Sequence, residues 1–153
     1  HLDSHDIFNL PFDNNSVDLI YASHVIEYFD RKEITPILNN WKNKLKSGGV
    51  LRLAVPNFGV ISKLYQQDLI SLDSFLGPLY GKMKMGNETI YHKTTYDFNS
   101  LNSVLKECGF TKVDYYNWRE TEHSNFDDHS QAYIPYMDKD NGVLISLNVE
   151  AIK

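Results

Sequence analysis

The chain has 153 residues, 42% of them apolar and 23% charged, which is the composition of one globular domain and excludes a disordered chain. Its formal net charge is −5, from 15 Lys+Arg against 20 Asp+Glu, which argues against nucleic acid as the main partner. A single cysteine excludes an internal disulfide and fits a reducing, cytosolic setting, and no apolar run reaches the ~18 residues that a membrane span needs.

Asp13-Asn14-Asn15-Ser16 is a turn, because short polar side chains bond to their own backbone there. Val17 to Ala22 is short, apolar and bounded by polar residues, which predicts a buried strand. Val25 to Phe29 begins a short helical or turn segment. Ile34, Ile37, Leu38, Trp41 and Leu45 then form one apolar helical stripe. Its start is either an Asp30/Glu33 capping box or a Thr35 cap with Pro36 in the first turn, and Ser47-Gly48-Gly49 is read as its end. Val50 to Val55 is a second strand, stopped by Pro56. Strand, helix and strand at this spacing predict a parallel crossover.

A further helix is predicted around Val60 to Tyr65, continuing through Leu69 to Phe75. Residues 77–95, with Gly77, Pro78, Gly81 and Gly86, are read as a long binding loop. Asp97 caps a helix with the face Leu101, Val104, Leu105 and Cys108, closed by Gly109 and Phe110. Residues 111–117 form a strand, 119–142 a polar loop, and Val143 to Ala151 a last strand antiparallel to the one before it.

These segments carry linked motifs: Asp6-Ile7-Phe8-Asn9-Leu10-Pro11-Phe12, Ser16 to Tyr28, Leu45-Lys46-Ser47-Gly48-Gly49 and Val55-Pro56-Asn57-Phe58. In that order they resemble a class I S-adenosylmethionine-dependent methyltransferase of the small-molecule, methyltransferase type 11-like branch. The resemblance implies an α/β, Rossmann-like doubly wound sheet. The family's acidic-x-Gly-x-Gly-x-Gly turn is absent here, and so are its first strands. The chain is therefore read as the C-terminal portion of a single methyltransferase domain, with on the order of 50–60 residues expected upstream and no activity expected of this piece alone. Residues 77–95 and 119–142 are the expected acceptor loops.

The same resemblance assigns S-adenosylmethionine as cofactor, with Asp6 and Ile7 at the adenine and Ala22, Ser23 and His24 beside the sulfonium. Asp6 suits the adenine amine because a carboxylate only accepts hydrogen bonds. His24 and His92 are the catalytic candidates, since an imidazole titrates near neutral pH. Tyr28, His92, Asp128 and His129 are assigned to the acceptor, a small molecule such as a sugar or surface-polysaccharide precursor. Glu27 is read as a surface acid complementing a helix start. No metal is expected: His123 with Asp127, Asp128 and His129 offers ligand types but no known ligand spacing. Gly77 to Met83 superficially resembles a phosphate loop but is one residue short and lacks its Ser/Thr. Cys108 and Trp41 are read as core residues. The rival readings are a non-catalytic Rossmann-like module or relic, and a nucleotide-cofactor oxidoreductase, which would need its own glycine fingerprint.

Overall fold

The computed structural model describes residues 7–153. Its main sheet has the order β1-β2-β8-β5, with β1 at Val17–Ser23, β2 at Leu45–Pro56, β5 at Thr111–Tyr115 and β8 at Ser146–Ile152. Strands β1 and β2 run parallel, as the crossover requires, while β8 lies antiparallel between β2 and β5. The last two long strands are thus antiparallel neighbours, as the sequence indicates.

Alternation gives this sheet two chemically different faces. Leu51, Leu53 and Val55 of β2 and Leu147, Val149 and Ala151 of β8 point into the main core. Helices α1 (Ile34–Lys44) and α4 (Phe98–Glu107) cover them with Ile34, Ile37, Leu38, Trp41, Leu101 and Leu105, all buried. Trp41 also donates from Nε1 to the Ile7 carbonyl at 2.8 Å, fastening residue 7 to α1. Cys108 is buried at the end of α4.

The helix starts follow local chemistry. Asp30 and Glu33 form the reciprocal pair: Asp30 Oδ1 accepts from the Glu33 amide at 3.1 Å, and Glu33 Oε2 accepts from the Asp30 amide at 2.9 Å. Pro36 then falls in the first turn of α1, where its missing N–H costs nothing. Asp97 caps α4 in a box with Ser100. The Ser100 amide donates to its carboxylate at 2.8 Å and holds its pKa below the usual carboxylate value. Asp97→Ala is expected to cost about 1 kcal/mol. Urea unfolding checks this, and Asp97→Asn, which keeps the cap oxygen, is expected to lose much less.

Four boundaries differ from the sequence reading. Helix α1 ends at Lys44 rather than at Ser47-Gly48-Gly49. Those glycines instead lie inside β2, where Gly48 at φ +76° lets its amide reach the Lys153 carbonyl. The helix expected to run from Val60 to Phe75 is two helices, α2 (Phe58–Gln66) and α3 (Leu72–Tyr80). Asp68 at φ +56° turns the chain between them, and the Ser71 side chain accepts from the Ser74 amide to start the second. Residues 77–95 are accordingly not one loop. They begin with the end of α3, which accommodates Pro78, and continue as a hairpin of β3 (Met83–Met85) and β4 (Glu88–Ile90) around Gly86 at φ +59°. The single strand expected over Val143 to Ala151 breaks at Ile145. Its amide bonds to Ala132 and its carbonyl to Asn57, so β7 (Val143–Leu144) pairs with β6 (Tyr133–Ile134) and only β8 joins the main sheet.

Candidate active site

The cavity lies where the parallel strands β1 and β2 end, the place at which open α/β sheets bind ligands. It measures about 850 Å³ and is lined by Ser23, His24 and Tyr28 from β1 and the turn after it. Helix α3 and the segment after it supply further wall, and residues 127–137 supply the opposite one. The sequence-assigned residues Ser23, His24, Tyr28, His92, Asp128 and His129 all line it. Two others do not: Ala22 is buried in the main core, and Ile7 packs against the edge of that core. Asp6 lies outside the described residues.

His24 has φ +52°, a left-handed conformation that costs a side-chain-bearing residue energy and is held only where the surroundings impose it. Here the His24 amide donates to the Ala54 carbonyl at 2.8 Å, fixing the turn to the end of β2. The ring projects its Nε2 into buried space with no hydrogen-bond partner among the described residues, while Nδ1 lies 3.2 Å from Glu27 Oε1. The His129 ring stands 5.1 Å away.

Glu27 corrects the sequence reading. It lies on a 3-10 turn, Ile26–Tyr28, that faces inward, and it is 0% exposed rather than on the surface. Neither carboxyl oxygen has a hydrogen-bond partner among the described residues. His92 Nε2 approaches Oε1 at 3.8 Å from the other side. His92 Nδ1 is 3.1 Å from the Pro78 carbonyl, which only accepts, so that nitrogen carries the proton. Burial holds the His92 pKa below its ordinary value, with Glu27 pulling the other way. The Glu27 carbonyl also accepts from the amides of Lys93 and Thr94, joining the turn to the His92 segment.

A second feature had no clear sequence signal. The sheet face away from the main core carries a polar row, Tyr21, Arg52 and Glu150, in register across β1, β2 and β8. Arg52 Nε donates to Glu150 at 2.6 Å and its Nη1 donates to Glu122 at 2.7 Å, with His123 Nδ1 3.2 Å from that same nitrogen. Tyr21 stacks on His123 with 3.8 Å between centroids and donates to Asp128 Oδ2 at 2.6 Å. Burial, with Asp128 beside it, pushes the Tyr21 pKa up to about 12. Burial would raise the Asp128 pKa, but hydrogen bonds from Ser130 and Tyr21 outweigh it and leave it lowered. What this network contributes is therefore retained above the ordinary carboxylate pKa and lost as pH falls through the lowered one. Residues 119–142, expected as a solvated loop, are thus the cover of a buried polar layer. Gln131 donates to the carbonyls of Ser124 and Phe126, and Asn148 of β8 donates to the Ser130 carbonyl. Among the described residues no group of three or more His, Cys, Asp or Glu is arranged to hold a metal ion.

The methyltransferase domain family model matches residues 2–53, about a third of the chain. Solved structures share the fold over nearly all of it. An S-adenosylmethionine-dependent methyltransferase from Methanosarcina mazei is 20% identical with a TM-score of 0.57, over 97% of this chain and 65% of its own. One from Archaeoglobus fulgidus is 14% identical with a TM-score of 0.52, over 93% of this chain and 62% of its own. The 1,6-didemethyltoxoflavin-N1-methyltransferase of Burkholderia thailandensis, solved with S-adenosylhomocysteine, is 12% identical with a TM-score of 0.53, over 96% of this chain and 48% of its own. No curated protein matches in sequence. The chain spans less than two thirds of the length of each of these three structures. The architecture is that of the Rossmann-like, class I S-adenosylmethionine-dependent methyltransferases, and the segment through β1 and into β2 carries that family's sequence pattern. S-adenosylmethionine is the cofactor of this class. Among the described residues no helix is long and apolar enough to cross a membrane.

Proposed function

We propose that this chain forms the acceptor side of an enzyme that transfers a methyl group from S-adenosylmethionine to a small molecule. The observation that carries the reading is His24: a left-handed residue at the end of β1, with an unpartnered buried Nε2 beside a cavity of about 850 Å³. The cofactor fits this site by its chemistry, because Ser23 and His24 set a hydroxyl and an imidazole at the strand end while Ile7 offers an apolar contact farther back. Asp6 and Ile7 are proposed at the adenine, and Ala22, Ser23 and His24 near the sulfonium. S-adenosylmethionine supplies a methyl on positively charged sulfur, so the protein need not protonate a leaving group.

The protein's tasks are alignment and removal of the acceptor's proton. Alignment alone can supply several kcal/mol. His24 Nε2 is the proposed proton acceptor, which favours a hydroxyl-bearing substrate. Tyr28, Tyr133 and Tyr136 at the cavity wall suit the flat faces of a sugar or a related surface-polysaccharide precursor. Asp128, His129 and His92 complete the acceptor surroundings, and the segments containing α3 and residues 127–137 are its walls. The acidic balance favours a small molecule over nucleic acid, and the single cysteine favours a cytoplasmic setting. Titration calorimetry with S-adenosylhomocysteine, on the protein of the complete reading frame, is expected to give saturable binding. No heat of binding would instead favour a non-catalytic module.

A further inference from the structure

Among the described residues, Glu27 is a buried group that the fold leaves unexplained. A carboxyl that is wholly buried and lacks a hydrogen-bond donor is costly, unless neighbouring cationic or N–H groups compensate it. Two imidazoles converge on the same oxygen, at 3.2 Å from His24 and 3.8 Å from His92. They are not equivalent. His92 Nδ1–H is committed to the Pro78 carbonyl, so in its neutral form Nε2 brings a lone pair toward Glu27. His24 has Nδ1 toward Glu27 and a buried Nε2 with no partner among the described residues, and it stands at the cavity wall, so its second nitrogen is uncommitted where that of His92 is not.

We propose that Glu27 is a positioning residue: it fixes the proton of His24 on Nδ1 and balances the charge when Nε2 takes a proton from the acceptor. The proton balance is simple. The acceptor's X–H bond breaks, the proton joins His24 Nε2, and the electron pair stays on X for the methyl. The resulting imidazolium faces the Glu27 carboxylate, and the proton leaves to water after turnover. A group that stabilises the imidazolium and selects the tautomer without touching substrate is the general logic of an acid-imidazole pair. The other groups around the pair are Tyr28 on the same turn, His92 and Tyr96 on the segment packed against it, and His129 and Asp128 across the cavity. Burial and then Glu27 push the Tyr96 phenol up to about 12, so it stays neutral through the physiological range.

This inference rests on the proposed proton-accepting role of His24, but its test is separate from cofactor binding. Nitrogen-15 NMR of the histidine rings in the full chain reads tautomer and titration directly. The expected result is a neutral His24 protonated on Nδ1, with Nε2 bare. In Glu27→Gln, an isosteric change that removes the carboxylate, the preference of neutral His24 for Nδ1–H is expected to be lost. In His92→Gln that preference is expected to persist. A wild-type His24 carrying its proton on Nε2 overturns the proposal without any variant, and so does an unchanged tautomer in a folded Glu27→Gln protein. Loss of S-adenosylhomocysteine binding with the His24 tautomer intact would overturn the methyltransferase reading and leave the Glu27–His24 pair standing.

Discussion

Trp41→Ala is expected to destabilise the protein by about 4 kcal/mol and to lower its Tm by on the order of 10 °C. The indole is 2% exposed on the inward stripe of α1, against the apolar face of the sheet, so its removal leaves a cavity. It also removes the Nε1 donor to the Ile7 carbonyl and releases the strap that fastens residue 7 to the core. Trp41→Phe separates the two effects. It keeps much of the apolar area and loses the hydrogen bond, worth about 1 kcal/mol. Thermal unfolding of both variants checks the ranking, and equal losses would mean that the ring contributes little by packing.

Arg52→Met is expected to cost about 2–3 kcal/mol, although it keeps the length and apolar volume of the stem. The guanidinium is the centre of the polar layer: it bonds Glu150 and Glu122, contacts His123 and lies 5.4 Å from the Tyr116 ring centroid. Without it the Glu150 carboxylate, mostly buried in the same row, has lost its cation. A methionine satisfies none of these groups, and the loss is greatest where they are least solvated. Glu150→Gln in the same chain is expected to recover part of the loss, because an amide tolerates burial without a cation. Urea midpoints for the two single variants and the double variant give the coupling, and strict additivity would contradict a shared network. Loosening of the 119–142 cover should follow as faster amide exchange there, because Tyr21, His123 and Asp128 are tied to Arg52 through that cover.

The polar layer and the Glu27 cluster share an origin. In β2 and β8 every second residue is apolar and faces the main core, and that half of the pattern is readable from sequence alone. On the other face, Arg52, Asn148 and Glu150 look like ordinary solvated positions. Arg52 and Asn148 are buried, and Glu150 partly so, because residues 119–142, whose Asp, His and Ser content predicts a loop, fold back over them. Composition cannot distinguish polar groups facing water from polar groups facing one another. Likewise Glu27 follows a strand end, where an acid is commonly a solvated complement to a helix start. Only the inward rotation of a three-residue 3-10 turn brings it between His24 and His92, which are far apart in sequence.

What the sequence by itself determined is local or periodic. The α1 stripe, the Asp30/Glu33 and Asp97 caps, Gly109 after α4, the β1-α1-β2 crossover and the order of the methyltransferase motifs follow from spacing and from side chains that bond to their own backbone. These interactions span a few residues, so neighbours in the chain suffice to fix them. The tertiary structure decided what depends on distant segments meeting. It split the 143–151 strand, because Ile145 bonds to Ala132 and Asn57 on distant segments, and it divided the 60–75 helix at Asp68. It also gathered Ser23, His24, Tyr28, His92, Asp128 and His129 around one cavity. The physical reason is that burial and charge pairing are properties of a site assembled from several elements, and no window of sequence contains the site.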